Sequence, residues 1–107
     1  MIQVELRIPN NSKNKLIIET VENVCAANGL ACALKGTLGS YPGCVHWHYK
    51  KGKQKGTLEI TWWERQNLLW FKVAENRRGK WMDDALTKLK KEIEVSLNKD
   101  PKERQVP

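Results

Sequence analysis

The chain opens on an alternation: Ile2, Val4, Leu6 and Ile8 are separated by Gln3, Glu5 and Arg7. A repeat of two marks a strand with one face buried. Pro9 and the polar run Asn10-Asn11-Ser12 end it. The repeat then lengthens. Leu16, Ile17, Thr20, Val21, Val24 and Cys25 fall on one helix face, which predicts a helix from about Lys13 to Asn28. Asn11 or Ser12 is the expected cap, and Asn28-Gly29 is the expected stop.

Ala31 to Ser40 predicts a weaker strand, loosened by Gly36 and Gly39. Tyr41-Pro42-Gly43 reads as a turn, because Pro presets one corner and Gly permits a positive φ at the next. Strands follow near Cys44 to Lys50, Thr57 to Trp63 and Leu68 to Ala74. Asn76-Arg77-Arg78-Gly79 breaks the pattern. Met82, Ala85, Leu86, Leu89, Ile93 and Leu97 then share one face of a closing helix from about Lys80 to Leu97. Asp83 and Asp84 sit in its first turns, where the helix dipole favours acids.

The fold class is therefore α+β, in the order β-α-β-β-β-β-α. We expect a single-layer, mostly antiparallel sheet of four to five strands with both helices on one face. Residues 1–98 form one domain, and residues 99–107 are a flexible charged C-terminal tail. The sequence leaves open whether the first strand pairs at the sheet edge or beside the last strand. The uncovered face must meet water, a ligand or another chain.

Turn residues fix a register for the last three strands. With one turn between Lys51 and Gly56, Tyr49 opposes Leu58, Trp47 opposes Ile60 and Val45 opposes Trp62. With the next between Glu64 and Asn67, Trp62 opposes Leu69, Ile60 opposes Phe71 and Leu58 opposes Val73. Every one of these pairs is apolar, so pattern and turns agree. The opposite face then carries three rows: His48, Glu59 and Lys72; His46, Thr61 and Trp70; Cys44, Trp63 and Leu68. For the preceding strand the expectation is Leu38 opposite Trp47, with Thr37 beside His48, Gly39 beside His46 and Lys35 beside Lys50.

Composition sharpens this picture in two respects. The chain of 107 residues has a net charge of +7, which favours anionic partners. It also has five tryptophans, at positions 47, 62, 63, 70 and 81. Cys25, Cys32 and Cys44 are odd in number and lack metal or redox spacing. With no basic segment and apolar run at the start, they point to a reducing cytoplasm. No stretch reaches membrane-spanning length, and no membrane partner is expected.

Three uses of the open face follow, in order. The first is binding of single-stranded nucleic acid. Trp63 and Trp70 would be stacking platforms, and Lys50, Lys51, Lys53, Lys55, Lys72, Arg77 and Arg78 would hold phosphates. The two basic clusters would flank the aromatic face. The second is a protein interface, with an acidic protein or as a homodimer, through His46, His48, Thr61, Trp63, Leu68 and Trp70. The third and weakest is a metal or acid–base site at His46, His48 and Glu59. His46 and His48 project from one face, but typical metal motifs supply more donors. No nucleophile or oxyanion donor is identified. We expect a non-catalytic binding domain with no cofactor.

Overall fold

The computed structural model describes residues 2–99. Most of the tail expected over 99–107 lies outside the described residues. The strands are β1 (Ile2–Glu5), β2 (Ala31–Gly36), β3 (Val45–Lys50), β4 (Leu58–Trp63) and β5 (Leu68–Val73), and the helices are α1 (Asn14–Ala27) and α2 (Met82–Leu97). The sheet is five-stranded and antiparallel in the order β1-β5-β4-β3-β2. The α+β class and element order are those the pattern predicts. The first strand takes an edge and also lies beside the last strand, with Ile2 opposite Val73 and Val4 opposite Phe71.

The meander has the register read from its turns. Trp47 pairs with Ile60, Ile60 with Phe71, and Trp62 with both Val45 and Leu69. These side chains join Ile17, Val21 and Cys25 of α1 and Leu89, Ile93 and Leu97 of α2 in one buried cluster. Both helices therefore cover the same face of the sheet. The deep tryptophans keep their ring N–H groups satisfied, as buried donors must be. Trp47 Nε1 donates to Glu22 (3.0 Å) and Trp62 Nε1 donates to Asn14 (2.8 Å). Cys25 is fully buried among them, and burial pushes its thiol up to about 12, which makes it inert at neutral pH.

Three local expectations are corrected. Neither Asn11 nor Ser12 caps α1, and its N-cap position is Lys13, without a side-chain hydrogen bond. The Asn11–Ser12 segment is committed elsewhere. Asn67, in the β4–β5 turn, accepts from Ser12 N–H and donates to the Pro9 carbonyl, while the Ser12 hydroxyl also donates to Pro9. Asn11 itself takes a positive φ.

The second correction concerns β2, which ends at Gly36 and pairs three residues away from the expected register. Lys35 opposes Trp47, Leu34 opposes His48, and Gly36 opposes His46. An irregularity between Cys32 and Leu34 shifts the strand. Lys35 consequently faces the helices, where its ammonium meets Glu22 at 2.7 Å. That hydrogen bond holds the Glu22 carboxyl below its ordinary value.

The third concerns α2, which starts at Met82, with Trp81 as its N-cap residue. Trp81 is tucked against the β3–β4 turn, donating from Nε1 to the Lys55 carbonyl at 2.9 Å.

Candidate functional site

Five-strand register turns the open face into continuous rows. Gln3, Lys72, Glu59, His48 and Leu34 form one, and Glu5, Trp70, Thr61, His46 and Gly36 form the next. Three chemically distinct zones lie along the strand direction.

The aromatic end is closed over by its own chain. Having left the sheet at Gly36, the backbone returns through a turn in which the Tyr41 N–H bonds the Leu38 carbonyl and the Cys44 N–H bonds the Tyr41 carbonyl. This brings the Tyr41 ring into T-shaped contact with two tryptophans, its centroid 5.0 Å from that of Trp63 and 5.1 Å from that of Trp70. Such T-shaped contacts suit the ring quadrupoles. Trp63 Nε1 donates to the Pro42 carbonyl, which ties the turn to β4. Trp70 keeps only 7% of its surface, whereas Trp63, Leu68 and Tyr41 are half-buried. A base stacks on a bare ring, and Trp70, nearly enclosed and in contact with Tyr41, does not offer one. Tyr41 was missed by sequence reasoning because a turn residue carries no periodic signal.

The centre of the face holds the ionisable cluster. His46 is buried, with 4% exposure, and its Nδ1 lies 2.8 Å from the Thr61 hydroxyl. Its Nε2 lies 3.0 Å from His48 Nε2 and 3.4 Å from Glu59 Oε1, and His48 Nε2 lies 3.8 Å from the same oxygen. Burial holds the His46 imidazole below its ordinary value, the neighbouring His48 adds to the shift, and Glu59 opposes it. The ring is therefore neutral at pH 7, with one nitrogen engaged by Thr61 and the other turned toward His48 and Glu59. Cys44 stays apart: its sulfur is buried and accepts from the Leu38 N–H.

The basic end differs most from expectation. The two cationic segments do not flank the aromatic rings. Both lie at the opposite end of the sheet and are sewn to each other. The Thr57 N–H donates to the Arg77 carbonyl, and Trp81 donates to the Lys55 carbonyl. Gly56 and Gly79 make this approach possible. A Cβ at Gly79 would stand 1.8 Å from the Lys55 oxygen, and one at Gly56 would stand 2.8 Å from the Gly79 nitrogen. Lys50, Lys53, Lys55, Arg77, Arg78 and Lys80 are exposed here, and Lys51 is half-buried. Arg78 is paired with Asp83 at 2.7 Å. Beside this rim opens a cavity of about 460 Å³ lined by Leu34, His48, Lys50, Lys55, Asn76 and Arg77, among others. His48 thus belongs to both the central cluster and the basic cavity. Lys72 is half-buried one row in, opposite Glu59.

No protein family matches the sequence, and no curated protein or solved structure matches it. Among the described residues, no helix is long and apolar enough to cross a membrane.

Proposed function

We propose that this protein binds single-stranded nucleic acid, with the phosphate backbone held at the basic end of the sheet. The observation that carries this reading is the joining of the 50–55 and 77–80 segments into one cationic rim beside an open cavity. Two loops distant in sequence concentrate positive charge where a polyanion can reach it. The net charge of +7 acts in the same direction. Phosphate contacts supply most of the affinity in this reading, and Trp63 with Tyr41 forms an aromatic wall further along the face.

The competing interface reading, through His46, His48, Thr61, Trp63, Leu68 and Trp70, has less to draw on. One of its two tryptophans, Trp70, is already nearly enclosed and in contact with Tyr41 within the chain.

The test is anisotropy of a labelled mixed-sequence oligonucleotide, titrated at several salt concentrations with a metal chelator present. Log affinity should fall linearly with log salt, with a slope of about −0.7 per phosphate neutralised. The double variant Lys53→Glu, Lys55→Glu should bind at least tenfold more weakly, because about 1.4 kcal/mol is a factor of ten. Salt-independent binding, or no binding by the wild-type protein, would refute the reading.

A further inference from the structure

We infer that His46, His48 and Glu59 form a three-ligand site for a divalent transition-metal ion of the zinc type, with a fourth position open to an oxyanion. This goes beyond the nucleic-acid reading and does not rest on it.

Residues two apart on a strand carry their side chains out roughly 7 Å apart. Here the two imidazoles instead turn their tips together, so that the Nε2 atoms are 3.0 Å apart, and Glu59 Oε1 stands 3.4 and 3.8 Å from them. Zinc bound at about 2.0–2.1 Å by nitrogen or oxygen in a tetrahedron sets its ligands about 3.3 Å apart. The three measured separations bracket that value. The three donor atoms already form one face of such a tetrahedron, and these residues are the group of potential ligands that converges among the described residues.

A gap of 3.0 Å between two ring nitrogens holds a single proton, given by one ring to the other. An ion placed between them takes both lone pairs, and the displaced proton moves to the far nitrogen of His48. No such shift is needed at His46. In the tautomer whose Nδ1–H donates to the Thr61 hydroxyl, 2.8 Å away, the Nε2 lone pair is already directed inward. An oriented ring with its second nitrogen hydrogen-bonded is how metal-ligating histidines are held. Two imidazoles and one carboxylate suit zinc, cobalt or nickel rather than magnesium or calcium, which want oxygen throughout.

Glu59 neutralises only one of the two charges of the ion, and Lys72 lies opposite it in the sheet. The cavity onto which His48 opens is lined by Lys50, Lys55 and Arg77. A bare cation is poorly matched to such a lining. A cation carrying an anionic oxygen ligand is well matched, because the lysines and the arginine then face negative charge. Inorganic phosphate is the simplest ligand of this class, and sites with three protein ligands keep the fourth position for exchangeable groups.

The experiment uses untagged protein without nucleic acid. Equilibrium dialysis measures Zn2+ uptake, and the visible bands of Co2+ report coordination, since four-coordinate Co2+ absorbs far more strongly than six-coordinate. We expect one equivalent bound and a four-coordinate spectrum that shifts when inorganic phosphate is added. His48→Ala and Glu59→Gln each remove a ligand from a half-buried position. Each should weaken uptake by more than the ~10–100-fold that loss of an outer-shell partner costs. Thr61→Val should fall within that lower range. Substoichiometric uptake, or equal uptake by wild type and both ligand variants, overturns the site. A spectrum indifferent to phosphate overturns the open anion position. Because the oligonucleotide titration is run with a chelator, either proposal can fail without the other.

Discussion

The two faces of β3, β4 and β5 are built from alternate residues of the same 18 positions, yet they obey different rules. On the helix side every cross-strand pair is apolar and nearly every side chain is fully buried. On the other side each row has its own chemistry: aromatic at one end, imidazole and carboxylate in the middle, cationic beyond. The first face sets the backbone. The second is set by it, because a slip of one residue would exchange the two faces entirely. Apolar contact fixes where His46, His48 and Glu59 stand, so those residues need not hold the sheet together to be held in place.

Neighbouring substitutions test that division. Ile60 is fully buried on the helix side. Ile60→Ala should lower the unfolding free energy by about 2–5 kcal/mol, read as a fall in urea midpoint. Thr61, the next residue, is equally enclosed but faces His46. Thr61→Val keeps the shape and removes the hydroxyl partner of His46, at a cost of about 1–3 kcal/mol for the group left unpaired. A larger loss at Thr61 than at Ile60 would mean that the polar face also carries the fold.

The smallest effect concerns Glu22, the carboxylate on the helix side. Lys35 holds its folded-state value below the ordinary one of 4.5. The linked stability is therefore present above the unfolded-state value and is lost as pH falls below about 4.5 toward the folded-state value. Glu22→Gln should flatten that acid-side fall by a few tenths of a kcal/mol, since the pair is partly exposed. A melt series across acid pH, wild type against variant, checks it.

How much of this was legible varied by element, for physical reasons. The meander was readable to the residue, because turn signals and apolar pairs constrain the same register independently. Strand β2 was not. Ala31, Cys32, Ala33 and Leu34 offer no alternation to orient them, and all four are exposed at the sheet edge. The pairing of Leu34 with His48 comes from an irregularity that no periodicity announces. The site was half legible. Register placed His48 opposite Glu59, and His46 beside Thr61. Rotation of both rings toward one point is a side-chain choice made by packing, which a pattern of residue types does not encode. The contact of Tyr41 with Trp70 was invisible for a related reason, since it depends on where a loop goes after its strand ends. The meeting of the two basic segments was implicit in the topology: β3 ends, β4 begins and β5 ends on the same side.

The edge strand β1 has one further consequence, for the order of assembly. Its backbone partners lie at residues 70–73, the adjoining Leu6 N–H bonds the Leu69 carbonyl, and Arg7 is held by Glu94 and Asn98 of the last helix and its cap. Closing a loop of that length costs conformational entropy before any contact repays it. During synthesis β1 is without its partner until residues 70–73 have been made, about two-thirds of the way along the 107 residues. Until then its alternating apolar residues have nowhere native to go, and the fold is sealed from its beginning by its end.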